Sequence, residues 1–218
     1  MHRLHRDHQA PSCLSRYRHG VDVWSINSPN SVERVEIWDK LHAIQGPRCA
    51  YCERAIQVGA REIEHFRQRR SYPQGTFDWN NLFGACREQG TCGDHKDKSG
   101  SYDPAVLIKP DEEDPDDFLV FAPDGSVSPR AKLATSRSRR AAETIRIMNL
   151  NGVKGALRFE RRREVIGYVQ TAESFAELAS QFPEDEWLPL LREEIEKTAH
   201  LPFATAIRHV LTRVHAND

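Results

Sequence analysis

Cys49-Ala-Tyr-Cys52, Ile63-Glu64-His65-Phe66, Trp79-Asn80-Asn81-Leu82 and Cys86-Arg-Glu-Gln-Gly-Thr-Cys92, with Asp94-His95-Lys96 directly after, are the stretches whose order decides how the chain is read. Cys49 and Cys52 form a CxxC knuckle, and Cys86 with Cys92 supplies a second pair. Two such pairs suit a structural zinc ion, which takes four thiolates tetrahedrally at ~2.3 Å. From Arg48 to about Lys98 the sequence is punctuated by Gly, Pro and Asn and has little apolar periodicity, so it needs a staple in place of a core. A redox CxxC would sit beside a thioredoxin-like βαβ pattern, which is absent here. The second pair is wider than a usual knuckle, with five residues between its thiols, and a loop carrying Gly90 absorbs the insertion. Cys13 has no short-spaced partner and is read as a non-ligand.

Outward from this segment, the whole chain of 218 residues carries 31 Lys+Arg against 32 Asp+Glu, a formal net charge of −1, which excludes a uniformly basic polycation. No apolar run approaches the ~20 residues of a membrane-spanning helix, so a soluble protein is expected. The first twenty residues, MHRLHRDHQAPSCLSRYRHG, are basic but lack an apolar signal core, so a cytoplasmic, reducing setting is expected. In that setting paired thiols bind metal more readily than they form disulfides.

The organisation expected from these signals is an irregular segment over 1–30, a core with its preceding helix over 31–105, an acidic linker and short hairpin over 106–135, and a helical region over 136–218. Asn30-Ser31 followed by Glu33 is an N-cap signature, and Val35, Trp38, Leu41 and Ile44 recur at helical spacing until Gly46-Pro47 ends the helix. The run KPDEEDPDD reads as solvated linker. Phe118-Leu-Val-Phe121 reads as a strand, turned by Pro123-Asp124-Gly125 into a second. Later apolar stripes end with Phe203, Ile207, Val210, Leu211 and Val214, and read as helix faces buried in a core.

The order of knuckle, acid-His at a strand end, Asn-Leu, second knuckle, then His and Lys resembles the HNH, or ββα-metal, nuclease motif. The fold this implies is α+β, a zinc-stapled ββα-metal core embedded in a mainly α-helical protein. Phosphodiester hydrolysis needs a base to activate water, a divalent cation to neutralise developing charge, and a brace for the base. In that resemblance His65 is the general base, Glu64 a ligand of Mg²⁺ or Mn²⁺, and Asn81 the brace of the loop after His65. His95 completes the catalytic cation site, with Asp94 the alternative, because Gly93 stands where the motif usually has His or Asn. Arg67, Arg69, Arg70 and Lys96 surround the proposed site with positive charge for phosphates.

CAYCERAI, IEHFRQRR, FDWNNLFGAC and CGDHK, with IKPDEEDPDDFLVFAPDGSVSP and TIRIMNLNGVKGALRFERRR beyond, are similar to the PtuB family, the HNH endonuclease component of Septu and retron-associated anti-phage systems. The resemblance covers roughly 30–165. Gln68 departs from it, standing where the family commonly has Pro. What it implies is a DNA-cutting effector working with a PtuA-type ATPase. In some relatives a reverse transcriptase and its small DNA join the complex. The chain itself has no GxxxxGK[ST] loop for ATP. Two other readings stand beside this one. One is a zinc-ribbon module that binds nucleic acid or protein without cutting. The other is a purely structural subunit, should Gly93 have abolished metal binding.

Overall fold

The computed structural model describes residues 1–7, 9–152 and 156–215. Val153 to Gly155, within the resembling stretch, and the side chain of Val214, expected on the last apolar face, lie outside the described residues. The chain forms two compact units, Met1–Pro115 and Asp116–Asp218. No described helix is long and apolar enough to cross a membrane.

In the first unit, helix α1 spans Ser31–Gln45 and begins with the capping box that the sequence predicts. Asn30 Oδ1 accepts the backbone N–H groups of Val32 and Glu33 at 3.0 Å each, and Glu33 Oε2 accepts that of Asn30 at 2.9 Å. The buried stripe differs from the apolar one: Glu33, Ile37, Leu41 and Gln45 point inward, and Val35 is exposed. The reason is polar. Glu33 is drawn in by its cap and by the Tyr17 hydroxyl at 2.5 Å. Gln45 is drawn in by the backbone of Gly84, to whose carbonyl it donates at 2.8 Å and from whose N–H it accepts at 2.9 Å. That approach requires glycine, since a Cβ at position 84 would stand 2.6 Å from Gln45 Nε2 and 2.7 Å from Trp38.

The ββα element follows. Strand β1 (Arg61–His65) pairs antiparallel with β2 (Leu82–Cys86), with Ile63 opposite Gly84 and His65 opposite Leu82, and helix α2 (Cys92–Lys98) comes next. Side chains alternate along β1. Ile63 joins a core of Cys13, Leu14, Ile37, Leu41, Trp79 and Leu82, and the Arg61 guanidinium lies 4.1 Å over the Trp38 ring. Glu62 and Glu64 turn to the opposite face.

The N-terminal stretch, which forms a 3-10 turn at Ser12–Arg16, is built into this unit. Arg6 donates to Asp111 at 2.5 Å and to the carbonyls of Trp79 and Leu82 at 3.0 and 2.9 Å. Its guanidinium also stacks 4.6 Å over the rings of Trp79 and Phe83. Asp111 pairs with Lys109 as well, at 2.8 Å. The acidic run expected to be solvated linker is therefore partly structural, because these cations draw Asp111 inside.

In the second unit β3 (Leu119–Phe121) and β4 (Val127–Pro129) form the expected hairpin. Helices α3 (Thr135–Ile147), α4 (Ala156–Ile166), α5 (Val169–Gln181), α6 (Glu184–Thr198) and α7 (Ala204–Leu211) complete it. α7 is central and packs against β3, α4, α5 and α6. Of the arginine cluster at 161–163, Arg162 and Arg163 are exposed. Arg161 is fully buried; it donates to the carbonyls of Gly125 and Leu150 at 2.6 and 3.0 Å and stacks on Phe121 and Phe203.

Candidate active site

The four cysteines of the two pairs converge. Cys49 and Cys52 come from the turn after α1, Cys86 ends β2, and Cys92 opens α2. All four are buried, and their sulfur atoms lie within 4.8 Å of one another. Cys49 Sγ to Cys92 Sγ is 3.8 Å and Cys52 Sγ to Cys86 Sγ is 3.9 Å. Four sulfurs at ~2.3 Å around a tetrahedral zinc would stand ~3.8 Å apart, whereas a disulfide needs ~2.05 Å. The set therefore fits a structural zinc ion and is not oxidised. Hydrogen bonds from the neighbouring thiols hold the Cys86 thiol far below its ordinary range, and the same crowding pushes those of Cys52 and Cys92 up. A bound dication would favour all four as thiolates and release protons. Cys13 lies in the α1 core; burial pushes its pKa to about 12, as suits an inert thiol.

His65, at the end of β1, is buried with its ring edge-on to Trp24, the centroids 4.7 Å apart. Its Nε2 lies 2.9 Å from the Thr76 carbonyl. A carbonyl can only accept, so Nε2 carries the proton and Nδ1 the lone pair. Burial lowers the imidazole pKa to about 4, which keeps the ring neutral at pH 7. Asn81 ties together the loop between the two strands: Oδ1 accepts the Arg67 N–H at 2.7 Å, and Nδ2 donates to the carbonyls of Arg67 and Gly75 at 3.2 and 3.0 Å. Gly75 immediately precedes Thr76, so Asn81 holds the backbone that holds His65.

Glu64 is buried and occupied at both oxygens. Oε1 pairs with Lys96 Nζ at 2.7 Å, and Oε2 accepts the Tyr51 hydroxyl. Burial raises its pKa, and the Lys96 charge offsets this only in part. Lys96 is fully buried; burial pulls its pKa down, but Glu64, Tyr102 and Asp97 together more than offset that and hold it above its ordinary value. Lys96 is thus not a surface phosphate contact, contrary to the expectation from sequence: its ammonium is used inside the protein. Arg67, Arg69 and Arg70 are exposed as such contacts must be.

A cavity of about 110 Å³ lies here, lined by Glu62, Glu64, His65, Gln68, Arg69 and Asp97 among others, and a wider hollow shares Gln68, Arg69 and Asp97 with it and adds Arg70. His95 is not in its lining. At 100° per residue, Gly93, Lys96 and Asp97 share the α2 face toward β1, and His95 turns away. Its Nδ1 instead lies 3.2 Å from Ser99 Oγ, and Asp94 is engaged by Gly90 N–H at 2.6 Å and Lys98 at 2.7 Å. Helix phase therefore does not bring His95 or Asp94 together with Glu64 in this structure. Among the described residues only the four cysteines form a ready cluster of three or more ligands. The described acidic residues do not form a metal-ligand cluster in this arrangement.

Two residues near the base, Glu62 and Asp97, escaped sequence reasoning, and Gln68, noted from sequence only as a departure from Pro, holds a structural place. Glu62, two positions before Glu64, shares its strand face, and burial followed by the Glu64 charge raises its pKa to about 7. Asp97 shares the face of Gly93, four positions earlier. Gln68 is buried and donates to the Lys96 carbonyl at 2.9 Å, tying the loop to α2. Strand and helix periods signal the first two; nothing local signals the third.

No protein-family model matches the chain. It is similar to the "Retron Vc95 putative HNH endonuclease" of Vibrio cholerae serotype O1 biovar El Tor, with 28% identity over 152 residues, spanning 66% of this chain and 70% of that protein. That distant likeness supports a nuclease role.

Proposed function

We propose that the chain is a metal-dependent HNH endonuclease that hydrolyses DNA phosphodiester bonds in the cytoplasm, as the effector of an anti-phage complex with a PtuA-type ATPase. A reverse transcriptase and its small DNA are further partners in this reading, which rests for its biological setting on the PtuB resemblance and on a relative named for a retron.

The observation that carries the chemistry is the state of His65: neutral, with Nε2–H committed to the Thr76 carbonyl and Nδ1 left to accept a proton beside an arginine-rimmed cavity. His65 Nδ1 takes the proton of the attacking water. Asn81 and Thr76 keep the ring oriented while it does so, at the cost of a pKa set low by burial. Arg67, Arg69 and Arg70 draw the phosphate backbone toward that water. The four cysteines hold zinc as a staple and take no part in the chemistry. A hard divalent cation, when bound, would neutralise charge on the phosphate. Because Glu64 is already paired, no step of this account passes through it.

That pairing favours a second reading, a zinc-stapled binding module that cuts nothing. The two separate in one experiment: cleavage of plasmid and single-stranded DNA in Mg²⁺ or Mn²⁺ by wild type and His65→Ala, each alone and with the ATPase encoded beside it. The nuclease reading expects cutting by wild type only, with zinc content and fold unchanged in the variant. Cutting by His65→Ala overturns the mechanism. No cutting by an intact, zinc-loaded wild type under any condition establishes the binding module.

A further inference from the structure

The face of α2 turned to Glu64 presents three residues. Gly93 brings no side chain, and none fits: a Cβ there would stand 2.5 Å from Glu64 Cγ and 3.2 Å from Glu62 Oε1. Lys96 brings an ammonium on a fully buried stem, and Asp97 a carboxylate. The ammonium has three N–H donors, and three oxygens meet them: Glu64 Oε1 at 2.7 Å, Asp97 Oδ1 at 2.7 Å and the His65 carbonyl at 2.9 Å. With Tyr51 on the other Glu64 oxygen, each oxygen of this carboxylate already has a partner. A cation is already resident at the acid centre, and the chain supplies it.

We infer that Lys96 and a divalent metal ion compete for Glu64, so that loading metal there requires the Lys96 ammonium to leave. The inference rests on the nuclease reading for the choice of Glu64 as a metal ligand. An ammonium and a hard dication on one buried carboxylate repel each other across a distance at which water screens little. Magnesium-like ions bind through one or two carboxylates and keep several waters. The cavity beside Glu64 and Glu62 offers room for those waters once Lys96 withdraws. Asp97, whose side chain is 64% exposed, gives the ammonium an anionic partner toward solvent. Lys96 also bonds the His65 carbonyl, so the same displacement releases one restraint on the strand end that carries the base.

The probe is Mn²⁺, titrated calorimetrically into the zinc-loaded full chain. Lys96→Met is expected to bind Mn²⁺ at least tenfold more tightly than wild type, and the gain should vanish in Lys96→Met/Glu64→Gln. Affinity equal to or below that of wild type, with zinc content and circular dichroism unchanged, overturns the competition. Should Lys96→Met fail to fold, the wild-type protein labelled with ¹⁵N-lysine and titrated with Mg²⁺ answers instead. Competition expects the buried Nζ resonance to move and lose its exchange protection as Mg²⁺ saturates, and an unmoved resonance at saturation overturns it. Wild-type cleavage in Mg²⁺ combined with either overturning result leaves the nuclease reading standing and removes only the competition.

Discussion

Asn81→Ala tests whether the brace under His65 is worth what its geometry says. The side chain is buried and makes three hydrogen bonds, at 2.7, 3.0 and 3.2 Å, to backbone groups of Arg67 and Gly75. At a net ~1 kcal/mol each, their loss costs about 3 kcal/mol. That is roughly a hundredfold in the folding equilibrium, since each ~1.4 kcal/mol is a factor of ten. Urea unfolding followed by tryptophan fluorescence should show a lowered midpoint at unchanged slope. Cleavage should fall further than the unfolded fraction explains, by about a hundredfold in conditions where the variant is folded, because a displacement near 1 Å at a catalytic group has that effect. Asn81→Asp sharpens the test. It keeps the acceptor for Arg67 N–H but turns an oxygen toward two carbonyls, so it should be no better than alanine. A stability loss below 1 kcal/mol, or full cleavage by a folded Asn81→Ala, would refute the reasoning.

Two further outcomes follow from other parts of the molecule. Cys49→Ser should release zinc and unfold β1, β2 and α2, because structural zinc contributes about 10–16 kcal/mol in small domains, more than most folds have to spare; zinc retained one-to-one with native circular dichroism would count against the site. Arg161→Met should destabilise the second unit by about 3 kcal/mol through two buried carbonyls left unpaired, read by Trp187 fluorescence, while exposed Arg162→Ala should stay within about 0.5 kcal/mol; equal effects from the two would contradict the burial of Arg161.

Much of this architecture is legible in the chain because its signals are local. Two thiol pairs, a capping box at Asn30 and a Pro-Asp-Gly turn each act within a few residues, and the hairpin, the helices and the sulfur cluster stand where those signals put them. The acid centre is another matter. Whether His95 or Lys96 meets Glu64 depends on the phase of α2, and that phase is set by Cys92, whose φ of 51° belongs to the turn that brings the thiol to its three partners. The stripe on α1 shifted for a like reason, since Glu33 and Gln45 turn inward to partners distant in sequence. Periodicity locates a face only when apolar burial alone chooses it; here capping and hydrogen bonding to the backbone chose it.

The embrace of Gly84 by Gln45 has a consequence for how these molecules keep apart. A short two-stranded sheet presents unpaired backbone groups that can recruit a strand from another chain. On β2 the Gly84 N–H and C=O are both satisfied by one side-chain amide, which imitates the rung of a neighbouring strand, and the Ala50 N–H adds to the same carbonyl at 3.0 Å. At that point the sheet is closed to augmentation by a foreign peptide. α1 therefore does more than cover a core: its last residue is a plug that guards the hairpin against edge-to-edge aggregation.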